Sequence, residues 1–66
     1  MTSGYLPTLT LASLPDILTL EDMAALLRVH QKTVRLMALA KEIPAFRAGR
    51  LWRFKKSRII DWLNAV

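Results

Sequence analysis

Between Ala45 and Phe54 the apolar spacing of this 66-residue chain changes from a period near 3.6 to a period of 2, with Gly49 in the middle of the stretch. Side chains alternate faces along a strand, so period 2 marks strands, and a glycine between two such runs marks the turn. Phe46 and Ala48, then Trp52 and Phe54, alternate with Arg47, Arg50 and Arg53. This spacing predicts a two-stranded hairpin with an apolar side and an arginine side. A hairpin alone is marginal in water, so it must pack on whatever the rest of the chain supplies.

The rest supplies helices. Thr19 followed by Asp22 has the spacing of a capping box in its Asp form. Glu21 and Asp22 favour the positive end of a helix dipole. Leu20, Met23, Ala24 and Leu27 then follow the i, i+3, i+4, i+7 pattern of a buried stripe, which predicts a helix from Thr19 to about Arg28. After a break at Val29-His30, with His30 as N-cap, a second helix covers roughly Gln31 to Lys41. Its core face is Val34, Met37, Ala38 and Lys41, and Ile43-Pro44 ends it. A last helix spans about Ser57 to Asn64, with Ile59, Ile60, Trp62 and Leu63 inward.

Residues 1–18 differ from this domain, expected at 19–64. They hold two of the three prolines, Pro7 and Pro15, and read as an extended apolar arm. Leu9-Thr10-Leu11 has the alternation of a short strand, and Leu14–Leu18 the length of one helical turn. So many apolar side chains, at about 25 cal/mol per Å² of buried surface, imply that the arm docks on something.

The charge is segregated. Residues 1–27 carry no Lys or Arg and three acids, whereas all ten basic residues lie between Arg28 and Arg58, with Glu42 the one acid among them. A basic load concentrated in this way is the footprint of a protein that sits on a polyanion. The absence of Cys excludes a disulfide framework and a thiol nucleophile, and a single His gives no metal-binding set. No metal or other cofactor is expected, nor catalysis, because no nucleophile has a base beside it. No membrane span or signal peptide is evident, and a cytoplasmic, nucleoid-associated location is expected.

Two short helices joined by a tight turn and followed by a basic hairpin have the logic of a mainly α, winged helix-turn-helix fold. In such a fold the second helix enters the major groove of double-stranded DNA, about 12 Å wide, and presents its leading end to base edges. Gln31, Lys32, Thr33 and Arg35 are the polar residues there. Gln suits adenine and Arg suits guanine in bidentate pairs, while Lys and Thr take phosphates or bases. Arg47, Arg50 and Arg53 suit phosphate contact or insertion into a narrow minor groove. Lys55 and Lys56 are expected to clamp the DNA backbone.

Four blocks, in order, carry a family resemblance: Leu18-Thr19-Leu20-Glu21-Asp22-Met23-Ala24, Val29-His30-Gln31-Lys32-Thr33-Val34, Ile43-Pro44-Ala45-Phe46-Arg47-Ala48-Gly49-Arg50-Leu51-Trp52-Arg53-Phe54 and Ile59-Ile60-Asp61-Trp62-Leu63. Together they resemble the excisionase-type DNA-binding domain of the MerR-like winged-helix superfamily. That family includes recombination directionality factors, phage and prophage regulators and small transcription factors. The resemblance implies double-stranded DNA as partner, and a recombinase or integrase as a second one. The chain departs from the family pattern at the turn glycine (Arg28), at the Ser or Asn cap of the second helix (His30) and at the glycine before the Ile-Pro-Ala block (Lys41).

Leu36 and Leu39 stand where the family commonly keeps polar residues. Their apolar side and the arm's Leu9, Leu11 and Leu14 suggest each other, packed within one chain or swapped between two chains of a homodimer. Three functions are therefore open at this level. They are an architectural excisionase, a small phage-type transcriptional regulator of the same fold, and a protein-interaction module working through the arm and Leu36/Leu39.

Overall fold

The computed structural model describes residues 14–66. Leu9 and Leu11 of the arm lie outside that range. The order of elements is β1 (Ile17–Leu18), α1 (Leu20–Leu27), α2 (Gln31–Leu39), β2 (Phe46–Ala48), β3 (Leu51–Lys55) and α3 (Lys56–Ala65). The result is a winged helix-turn-helix, mainly helical, with a small antiparallel sheet.

Helix α1 begins as its sequence requires. The Asp22 amide donates to Thr19 Oγ1 and the Thr19 amide to Asp22 Oδ2, both at 3.0 Å, so the capping box is closed in both directions. Its end is less ordinary. Arg28 adopts a left-handed backbone (φ 60°, ψ 43°), and both its amide and that of Val29 return to the Ala24 carbonyl. The same device ends α2. Lys41 has φ 60°, its amide donates to Ala38 O at 3.1 Å, and the Glu42 amide donates to Met37 O at 2.9 Å. These two returns are the paired bonds of a Schellman motif. Lys41 is thus not the last residue of the helix's core face, as its spacing suggested. It is the exposed left-handed residue that stops the helix before Ile43-Pro44 is reached.

The sheet corrects two further expectations. Leu14–Leu18 does not make a helical turn; Ile17 and Leu18 form a third strand, paired antiparallel with Lys55 and Phe54 of β3, and the sheet order is β1-β3-β2. The physical reason lies in the backbone edge of β3, whose Phe54 and Lys55 pair with Leu18 and Ile17 and so draw the segment into extended conformation. Alternation then turns Leu18 fully inward and leaves Ile17 44% exposed.

The hairpin, in turn, does not divide into an apolar side and an arginine side. Its register pairs Phe46 with Arg53, Arg47 with Trp52 and Ala48 with Leu51. Residues directly opposite one another share a face. Arg47 therefore lies on the inner face with Trp52 and Phe54, while Phe46 lies on the outer face with Arg53. The alternation was sound within each strand, but the turn sets the phase between them. Gly49 (φ 66°) and Arg50 form a two-residue turn in which only the first residue has positive φ, the arrangement that leads with glycine.

The core is one cluster: Leu14, Leu18, Met23, Ala24, Val34, Ala38, Ile43, Phe54 and Ile59. Met37, Trp52, Trp62 and Leu63 pack against it, half-buried. Leu14 comes from the expected arm and Leu18 from its end, so these residues complete the domain's core.

Candidate nucleic-acid interface

Three residues, Arg28, Val29 and His30, separate α1 from α2. His30 is extended (φ −71°, ψ 148°), and its Nδ1 accepts the Lys32 amide at 3.0 Å, so the imidazole serves as the N-cap. It does the work that Ser or Asn does in most caps. This bond and the His30 carbonyl, which accepts from Thr33 and Val34, fix the direction in which α2 leaves the turn.

With 3.6 residues per turn, Val34, Met37 and Ala38 lie along one side of α2 and face the core. The opposite side carries Lys32, Arg35, Leu36 and Leu39, all exposed and related by steps of three and four residues. Gln31 and Thr33 flank this stripe and are also exposed. Gln31, Lys32 and Arg35 border a depression of about 260 Å³ with Leu20 and His30. The four polar residues expected at the leading end of the second helix are thus gathered there, and the side chains of Gln31, Lys32, Thr33 and Arg35 make no hydrogen bond to another described residue.

The wing arginines differ from one another. Arg47 Nη1 donates to the Arg50 carbonyl at 3.2 Å and its guanidinium stacks over Trp52. Arg53 Nη1 donates to the Trp52 carbonyl at 2.8 Å, and the residue is half-buried. Arg50 projects from the exposed turn, its side chain free of any hydrogen bond to a described residue. The two lysines after the wing also part company. Lys55 is exposed, whereas the Lys56 ammonium reaches back 3.1 Å to the Leu14 carbonyl and the Lys56 amide donates to Asp16 O at 2.8 Å. Lys56 thus holds residues 14–16 against the start of α3.

Arg58 is a basic residue outside the expected set. It is exposed and, with Lys55, Pro44, Ala45 and Phe46, borders a depression of about 350 Å³. Its position one turn after Lys55 in a basic run was the available signal. Leu14 is buried in the core cluster, while Leu36 and Leu39 take no part in it and are each 55% exposed. Among the described residues no helix is long and apolar enough to cross a membrane, and no group of three or more His, Cys, Asp and Glu is placed to hold a metal ion.

An exposed, cationic leading end on the second helix of a tight-turn pair, followed by a wing with an exposed arginine at its tip, defines a helix-turn-helix DNA-binding domain. The family model described as "Helix-turn-helix domain" matches residues 17–66, and the chain belongs to that family. Comparison with curated proteins and with solved structures returns no match. The family match begins at Ile17, the first residue of β1.

Proposed function

We propose that this chain binds double-stranded DNA sequence-specifically as an excisionase-type recombination directionality factor. It acts architecturally: α2 reads base edges in the major groove, Arg50 of the wing engages a neighbouring groove or phosphate, and the bent DNA is presented to a recombinase. The observation that carries the DNA reading is the outward stripe of α2, where Lys32 and Arg35 stand exposed, with Gln31 beside them and no acid on the helix. The four-block resemblance supports the excisionase-type family, in which directionality factors and small transcriptional regulators share the same DNA chemistry.

Two experiments test it. Neutralising about four to six phosphates gives a slope of roughly −4 to −5 for log affinity against log salt. A flat salt dependence on the best duplex sinks the nucleic-acid reading. Excision is tested by adding the protein to an integrase and its attachment-site DNA. Stimulation of excision over integration supports the directionality role, and DNA binding without stimulation refers the same contacts to a promoter.

A further inference from the structure

The outward stripe of α2 is not uniformly polar. Leu36 lies one turn beyond Lys32, and Leu39 one turn beyond Arg35, so each leucine shares its strip of surface with a cation. Both leucines are 55% exposed, diametrically opposite the core face. Whatever covers them must also cover, or lie beside, Lys32 and Arg35.

That condition selects the occupant. A second copy of the same face brings Lys32 and Arg35 against their own kind. The arm upstream of Leu14 contains no Asp or Glu, so it brings apolar side chains but nothing to balance two cations. The major groove of DNA brings both: guanine acceptors and phosphates for the cations, and the C5-methyl groups of thymine for apolar side chains.

We infer that Leu36 and Leu39 are specificity-determining residues that read thymine methyl groups in the major groove, one turn along α2 from the cations that read guanine or phosphate. This inference rests on the DNA reading proposed above and deepens it. The expected site therefore holds thymines displaced along the groove from the positions contacted by Lys32 and Arg35.

The test begins with a duplex enriched by the full-length protein from a randomised library. The duplex is remade with deoxyuridine in place of thymidine, which deletes the methyl group and leaves base pairing intact. Loss of one methyl contact should weaken binding about four-fold, the worth of one buried CH₂. Leu36→Ser and Leu39→Ser alter exposed residues that take no part in the core cluster. Each should bind the thymine duplex more weakly and lose its sensitivity to uracil at one position. The inference is overturned if enriched duplexes lack thymine, or if uracil leaves wild-type affinity unchanged. It is equally overturned if uracil weakens the serine variants as much as the wild type, since the effect then lies in DNA shape. A change in mass in solution for the serine variants, with thymine affinity intact, assigns the leucines to contact between chains and also overturns it. If the wild-type protein enriches no duplex at all, the DNA reading itself fails.

Discussion

The guanidinium carbon of Arg47 stands 4.2 Å from the centroid of the Trp52 ring, directly across the β2–β3 ladder. Cross-strand pairs are the units that hold a small sheet together, and a cation over an indole face adds electrostatic attraction to the contact. Arg47 also ties the turn by donating to the Arg50 carbonyl. Arg47 thereby has a part in holding the wing together, whereas the Arg50 side chain makes no hydrogen bond to another described residue.

The first prediction follows from that division. Arg47→Ala should lower stability by about 0.5–1 kcal/mol, the range for an exposed cation–π contact, and should alter Trp fluorescence. Arg50→Ala should leave thermal stability within about 0.5 kcal/mol of wild type, as surface substitutions usually do. It should instead weaken DNA binding and reduce the salt slope by about 1. Thermal melts and salt titrations on the two variants check both halves. Equal stability losses would remove the distinction.

The second prediction separates adjacent lysines. Lys56→Met keeps an apolar stem but removes the donor to the Leu14 carbonyl. The partly buried bond to a charged donor suggests a cost of about 1–2 kcal/mol. Protection of the Ile17 and Leu18 amides from hydrogen exchange should fall with it, because residues 14–16 lead into β1. Lys55→Ala should leave stability unchanged and weaken binding to all DNA sequences alike. If Lys56→Met melts at the wild-type temperature, the tether contributes nothing.

The two lysines also show where legibility stopped. A Lys-Lys pair after a basic wing suggests two backbone clamps, and nothing in its immediate surroundings says that one of them turns inward. The inward turn depends on β1, a two-residue strand too short to leave an alternating pattern of its own. β1 exists because β3 offers an edge, a relation between segments nearly forty residues apart. By contrast, the capping box at Thr19 and the Val34, Met37 and Ala38 stripe of α2 are local, and their residue types announce them; the His30 cap is local too, but histidine is not among the usual capping residues. The wing arginines stand between these cases: alternation within each strand was visible, but pairing Arg47 with Trp52 required knowledge of the turn's length.

Capping by His30 gives the third prediction. Its Nδ1 satisfies the Lys32 amide, one of the unpaired donors of the first turn. His30→Ala should destabilise the protein by about 0.5–2 kcal/mol, and His30→Asn or His30→Ser should restore most of that loss, because both cap well. Denaturant melts of the three variants give the comparison. Loss in all three alike would mean that the imidazole matters for packing rather than as an acceptor.

The last prediction concerns the three left-handed residues among those described: Arg28, Lys41 and Gly49, with φ of 60°, 60° and 66°. Only the wing position is a glycine. A side chain in this conformation costs roughly 1–2 kcal/mol, and glycine in its place returns about 0.5–1 kcal/mol of that as lost chain entropy. Arg28→Gly and Lys41→Gly should therefore each stabilise the fold by a net of about 0.5–1 kcal/mol. Both side chains are exposed, and both residues bond their helix ends through the backbone amide alone, so no core packing is lost. Gly49→Ala should run the other way. A Cβ there meets nothing within 4 Å, so the cost is one of backbone strain without a clash. DNA affinity separates the two glycine substitutions further. Arg28 sits at the turn before α2, beside a depression lined by Val29, His30 and Gln31, and its removal should lower affinity and salt slope if a phosphate lies there. Lys41, at the far end of α2, should become more stable with DNA binding little changed. Melting temperatures below wild type for both glycine variants would show that these side chains hold the helix ends in ways their backbone bonds do not account for.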